Sequence, residues 1–202
     1  MRFFAILFTC TYKYNSANVK NLVNHNNKKT FKFIIKTLED LNYKVFYKVI
    51  NSCDFGLAQS RNRVYIIALH KEKLKNCEFI FPTGFNSKIV VKDILENHNI
   101  NKYIIDSKEF TIDINKVNKN MIHKTSFRVG AFKKGGQGEQ IYSIYGKAIP
   151  LLAEGGGIAA KTGAYYVNGN IRKLSPIECA RLQGFPTTFK IIHSDKSLKT
   201  IW

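Results

Sequence analysis

The run Asp54-Phe55-Gly56-Leu57-Ala58-Gln59-Ser60-Arg61-Asn62-Arg63-Val64-Tyr65-Ile66-Ile67-Ala68-Leu69 changes character halfway along. Its first part is polar and broken by Gly56, a loop composition. From Val64 to Leu69 it is almost continuously apolar, which predicts a strand buried on both faces. Upstream, Val45-Phe46-Tyr47-Lys48-Val49-Ile50 is strand-like in composition. Before it, Phe31, Ile34, Ile35, Leu38 and Leu41 repeat at helical spacing, with Lys32 and Lys36 off that face. Helix, strand, loop and strand in this order fit the end of an α/β sheet.

Working outward, the chain has 202 residues, 45% of them hydrophobic and 13% aromatic, enough for a real core rather than a disordered chain. Its 32 Lys and Arg against 14 Asp and Glu give a net charge of +18, which favours a polyanionic partner, nucleic acid above all. Lys, Asn and Ile are abundant throughout, so part of that charge is a compositional background. Cys10, Cys53, Cys77 and Cys179 form no C-x-x-C pair and match no zinc spacing, so no metal is expected and reduced thiols in a cytoplasmic protein are. The apolar opening from Met1 to Cys10 has no small-residue cleavage site and reads as a buried strand rather than a signal peptide. No stretch approaches the ~18 apolar residues of a membrane span, and no membrane partner is expected.

Beyond Phe81-Pro82-Thr83-Gly84 the texture changes. Val91 to Glu96 suggests a short helix, and residues 99–126 carry little periodicity. From Phe127 to Ile171, Gly, Tyr and β-branched residues predict a small twisted β domain with tight turns. A helix follows at about 176–183: Ser175 suits the N-cap, Pro176 the first position, Glu178 a capping box, and Gly184 with Pro186 the stop. The expected division is therefore 1–84, 85–171 and 172–202.

Four stretches carry chemistry. In the first, Gln59-x-Arg61-x-Arg63 puts two guanidinium groups at a loop-to-strand junction, suited to phosphate, carboxylate or a base carbonyl. The second, Lys133-Lys134-Gly135-Gly136-Gln137-Gly138-Glu139-Gln140-Ile141-Tyr142-Ser143, joins phosphate-seeking lysines to a glycine-bracketed glutamine, though an ordinary hairpin turn reads equally well. The third, Glu154-Gly155-Gly156-Gly157, permits close backbone approach but does not lie between a strand and a helix as a P-loop does. In the fourth, Arg172-Lys173-Leu174-Ser175-Pro176-Ile177-Glu178-Cys179-Ala180-Arg181-Leu182-Gln183-Gly184-Phe185-Pro186, Arg172 and Arg181 stand available for contacts beside a capped helix that otherwise serves as a brace.

Taken together and in this order, the four resemble the bacterial DNA cytosine-5 methyltransferases. The Gln-x-Arg-x-Arg loop looks like that family's eighth motif and the Arg172–Pro186 block like its ninth. Asn18-Val19-Lys20-Asn21 looks like the tail of its sixth. The intervening segment is similar to the recognition domain of the members that read GCGC. The resemblance implies the remnant of a Rossmann-like, S-adenosylmethionine-dependent methyltransferase sheet, with a small β-rich target-recognition domain. It implies double-stranded DNA as partner and a cytosine flipped out of the duplex. By motif match, Arg63 would contact that cytosine, with Gln59 and Arg61 supporting the loop. Gln137 would enter the duplex, and Lys134, Gln140, Tyr142, Gly155, Gly156, Gly157 and Arg172 would lie along DNA. Gln140, Pro150 and Glu154 stand where the GCGC-reading relative has Arg, Thr and Tyr.

The departures from the family are equally specific. Its nucleophile is the Cys of a Pro-Cys dipeptide, and here Thr9, Ser52, Asn76 and Glu178 precede the four cysteines. Its donor site needs a glycine-rich turn, and no glycine precedes Gly56. Its sixth-motif Glu is replaced by Ala17, and residues 1–16 bear no likeness to it. The family's final Gly-Asn-Ser-Val does not occur. The reading is of a truncated or frameshifted methylase, or one half of a split enzyme whose partner is a complementary N-terminal chain. A DNA-binding module without chemistry is the alternative. An RNA-associated basic protein is disfavoured, because no RNP-like aromatic motif occurs.

Overall fold

The computed structural model describes residues 13–191 apart from 75, 86, 98–99, 118–121 and 153–154, and only the backbone of residues 13–16, 19 and 137. The expected strand at 1–10, Cys10, Glu154 and residues 192–202 lie outside the described residues. The chain divides into two compact units, residues 1–51 with 62–84, and residues 52–61 with 85–202. The sequence-based division differs twice. The loop 52–61 belongs with the second unit, and the segment from 172 onward is not separate from it.

The first unit is a three-stranded antiparallel sheet of order β1-β3-β2, with β1 at Lys13–Val19, β2 at Tyr43–Asn51 and β3 at Asn62–His70. Helix α1, Lys29–Asp40, lies between β1 and β2 in the chain. Its apolar face packs as the spacing predicts: Phe31 is buried with Val64 and Ile66, and Ile34, Ile35, Leu38 and Val45 close around them. Leu41 falls just past the helix end and is exposed. On β3 the alternate residues Val64, Ile66 and Ala68 are fully buried, while Tyr65 and Ile67 on the other face are half-buried. So one face of the strand is sealed and the other only partly, where burial on both was expected. Asn26, Asn27, Lys28, Asn42 and Asn76 take positive φ, so Asn and Lys rather than glycine make this unit's turns.

The second unit carries a five-stranded sheet of order β4-β5-β6-β7-β8. The strands are β4 Phe110–Ile112, β5 Arg128–Phe132, β6 Gln140–Ser143, β7 Ala164–Val167 and β8 Asn170–Arg172. All pairs are antiparallel except β6 with β7, which run parallel. Asn168 and Gly169, both at positive φ, join β7 to β8 in a two-residue hairpin. Two apolar clusters hold the unit together. One groups Tyr142, Tyr165, Leu174, Cys179 and Leu182; the other groups Val129, Phe132, Ile141, Ala164 and Ile171. Val91–Ile94 is a 3-10 turn rather than the short helix its composition suggests. A single turn α2, Ile114–Val117, and helix α3, Pro176–Leu182, complete the elements.

Candidate nucleic-acid interface

The Gln-x-Arg-x-Arg loop is closed at its base by one serine. Ser52 Oγ donates to the Gln59 carbonyl at 2.6 Å and accepts from the Arg61 amide at 3.2 Å, while the Ser52 amide donates to the Arg61 carbonyl at 3.1 Å. The loop is then stitched to the segment after β6. The Ala148 amide donates to the Ala58 carbonyl at 2.7 Å, and the Ser60 amide donates to the Ala148 carbonyl at 3.0 Å. Gln59, 1% exposed, reaches the Ile149 carbonyl with Nε2 at 3.5 Å. Gly56, at φ +88°, lets the ring of Phe85 pass close by, and Gly184, at φ +82°, does the same for Leu57. Gln59 is thus a buried strut of the loop. Arg63 starts β3 in the other unit, opposite Val19 and Ile50, and its Nη1 donates to the Asn62 carbonyl at 2.8 Å.

The two glycine-rich stretches meet. A Cβ on Gly138 would stand 1.8 Å from the Gly156 carbonyl oxygen, and one on Gly157 would stand 2.4 Å from the Gly138 carbonyl oxygen. The Ala159 amide seals the pair by donating to the Gly138 carbonyl at 2.8 Å. The close approach that these glycines permit is therefore backbone against backbone. Gly155, Gly156 and Gly157 remain exposed, as do Lys133 and Lys134. Gln137 opens a 3-10 turn, Gln137–Glu139, in which the Glu139 carboxylate accepts from the Gly136 amide at 3.0 Å. The Gln137 side chain lies outside the described residues.

Arg172, expected to lie along DNA, is 1% exposed. Its fork closes on Glu178 with Nη1 to Oε2 at 2.8 Å and Nη2 to Oε1 at 2.7 Å, and Nη1 also donates to the Lys173 carbonyl. Glu178, 0% exposed, also accepts from the Ser175 and Glu96 amides at 2.8 Å each. Ser175 Oγ in turn accepts from the Glu178 amide and donates to the Glu96 carboxylate. The capping box read from the sequence is present, and its Glu serves a second purpose in neutralising a buried arginine. Arg181 is similarly engaged, donating to the Ile94 carbonyl at 3.0 Å. Arg172 is therefore not offered to a ligand, while Arg181 is half-buried.

Sequence reasoning missed Lys147. It is buried, and its ammonium donates to the Ser87 and Ile89 carbonyls, pinning the segment that enters this unit after Gly84. Burial pulls its pKa below the usual lysine value. Only its small neighbours Gly146 and Ala148 hinted at a crowded site. Among the described residues no cluster of three or more His, Cys, Asp or Glu could hold a metal ion, and no helix is long and apolar enough to cross a membrane.

Residues 17–201 match the model of the C-5 cytosine-specific DNA methylase family. Type II methyltransferase M.HhaI of Haemophilus parahaemolyticus is 41% identical over 175 residues, 86% of this chain and 53% of the relative. M.SsoII of Shigella sonnei is 37% identical over 88% of this chain and 45% of its own. The S. pombe Dnmt2 methyltransferase superposes with a TM-score of 0.58 at 14% identity, over 92% of this chain and 58% of its own, a likeness of α/β fold. The chain spans about half the length of the curated relatives it matches. With a family model covering nearly all of its length and relatives more than 30% identical over most of it, the chain belongs to the C-5 cytosine-specific DNA methylases.

Proposed function

We propose that this chain is the sequence-reading part of a restriction–modification DNA (cytosine-5-)-methyltransferase. It grips duplex DNA in a bacterial cytoplasm and supports a cytosine flipped from the helix. The observation that carries this reading is the interlocked pair of glycine loops, Lys133–Gln140 and Gly155–Gly157. It forms a preorganised exposed edge beside two lysines, on a chain of net charge +18. Arg63 is the residue assigned to the flipped cytosine, with Gln59 and Arg61 holding its loop. Lys134, Gln137, Gln140 and Gly155–Gly157 are assigned to the duplex; Arg172 and Tyr142, expected along DNA but 1% and 8% exposed, belong to the scaffold.

S-adenosylmethionine is the family's methyl donor, and the residues present do not fit it. A donor cradle needs backbone stripped of side chains near a strand end. The turn after β1, Lys20-Asn21-Leu22-Val23-Asn24, holds no glycine, and the first unit has none before Gly84. This favours a second reading within the same family: a recognition subunit whose catalytic half is a complementary chain, or a DNA-binding module without chemistry.

Binding is expected to be dominated by phosphate contacts. Log affinity for duplex DNA should fall linearly with log salt, with a slope of about −0.9 per phosphate neutralised. Salt-independent binding, or a preference for single-stranded RNA, would reject the proposal. Preference for GCGC is expected to be weaker than in the GCGC-reading relative, because Gln140 and Pro150 stand where it has Arg and Thr. An arginine fork on guanine is worth about 1–3 kcal/mol of discrimination. Competition between GCGC and scrambled duplexes measures this, and a preference of about a hundredfold for GCGC would show that these replacements do not weaken it.

A further inference from the structure

We propose that Gln140 reads guanine through its amide nitrogen, and that Tyr142 is the positioning residue that makes it a donor. This rests on the duplex-reading role proposed above and deepens it. Gln140 and Tyr142 are two apart on β6 and so share a face. Arg128 on β5 is the register partner of Tyr142 and lies on that same face. Arg128, Tyr142 and Gln140 therefore form one polar stripe across two strands.

The tyrosine is rigid. It is 8% exposed, with its ring packed in the core alongside Tyr165, Ala148 and Leu174. Its hydroxyl donates to Gln140 Oε1 at 2.7 Å. Burial raises the phenol's pKa, so the hydroxyl keeps the proton that it donates to the glutamine carbonyl. Arg128 is itself held by its Nε bond to the Gly130 carbonyl at 3.2 Å, and it passes Gly135 where a Cβ would block it. The outcome is an amide with its oxygen turned inward and its NH2 turned away from the core.

That orientation changes what a glutamine recognises. An unconstrained Gln pairs with adenine, accepting from N6 and donating to N7. With its oxygen engaged, Gln140 offers two N–H donors from one nitrogen. Guanine presents two acceptors, O6 and N7, to such a group, whereas adenine's N6 amino group opposes it donor to donor.

Selection from a randomised duplex library by the full 202-residue chain tests this. Gln140→Ala should flatten the preference at a single base pair, which locates the contact. There the unaltered chain should prefer guanine over adenine by about tenfold, within the range of one good base contact. Tyr142→Phe keeps the ring and frees the amide to turn, so the preference at that one position should swing toward adenine. Gln140→Glu leaves every core side chain unaltered and keeps an acceptor for the Tyr142 hydroxyl, so the test stays decisive even if Tyr142→Phe is unstable. It presents only acceptors and should move the preference to cytosine N4. Guanine retained by Gln140→Glu, an unchanged preference in a folded Tyr142→Phe, or no single position answering to Gln140→Ala overturns the inference. Salt-dependent binding with no sequence preference also overturns it while leaving the duplex-binding reading intact. Failure to bind duplex at all overturns both.

Discussion

The 202-residue chain, purified alone and supplied with tritiated S-adenosylmethionine and mixed-sequence duplex, is expected to transfer no methyl group. Covalent attack on cytosine needs a thiolate that is both reachable and easily formed. Cys53 is buried, and burial together with the neighbouring Asp54 carboxylate pushes its thiol up from the ordinary value. Cys179 is buried on the core side of α3, and burial pushes its thiol up to about 12. Cys77 is exposed but follows Asn76 rather than a proline. Ala17, opposite Tyr65 in β1, would by the motif resemblance stand in place of the family's carboxylate for the cytosine edge. Loss of a covalent nucleophile alone removes most of such a rate. Mixing with a complementary N-terminal methylase chain should restore transfer. Activity should stay low until Ala17→Glu, unless that chain overlaps and brings its own carboxylate. Incorporation by the chain alone, abolished by Cys53→Ala or Cys77→Ala, would overturn this account.

The second large effect is on stability. Arg172→Ala and Glu178→Ala should each destabilise the chain by about 3–5 kcal/mol, because each strands an uncompensated buried charge. That is a large share of the roughly 5–15 kcal/mol by which ordinary domains hold together. Arg172→Lys should recover only part of the loss, since an ammonium cannot reproduce the two-point fork on Oε1 and Oε2. The double substitution Arg172→Met, Glu178→Leu removes both charges and avoids the stranded one. It still orphans the Ser175 and Glu96 amides, at about 1–3 kcal/mol for each buried donor left unmet. Its midpoint in urea should therefore fall between the unaltered chain and the singles. Single variants within about 1 kcal/mol of the unaltered chain would mean that the pair is solvated rather than buried.

Much of the fold was legible because its signals are local. The apolar spacing of α1, the composition of β2 and β3, and the Ser175–Glu178 capping box each depend on residues within a few positions of one another. What was not legible depends on distant partners. Arg172 reads as a free cation until Glu178 and the Glu96 amide close around it, and Glu96 lies 82 positions from Glu178. Strand β1, with the polar sequence Lys-Tyr-Asn-Ser-Ala-Asn-Val, exists because it pairs along β3, and β4 because it pairs with β5. The glycines of 155–157 read as room for a close backbone approach, and the sequence cannot reveal that Gly138 is what approaches them. Of the candidate site, the loops were found from their residue types, while their bracing through Ala148 and Lys147 was not.

The stitching of loop 52–61 to Ala148 bears on how such a protein changes its DNA preference over time. A recombination event that imported a foreign 85–191 segment would separate the Ala148 peptide from the Ala58 carbonyl and the Ser60 amide that it pairs with. It would also set a new residue against Leu57 at the Gly184 corner. A compatible graft has to be discontinuous, carrying ten residues from the far side of β3 along with it. Inheritance of a new specificity in one piece is thereby obstructed. Single substitutions at positions such as Gln140 and Pro150, which leave that stitching untouched, are the easier path to a new preference.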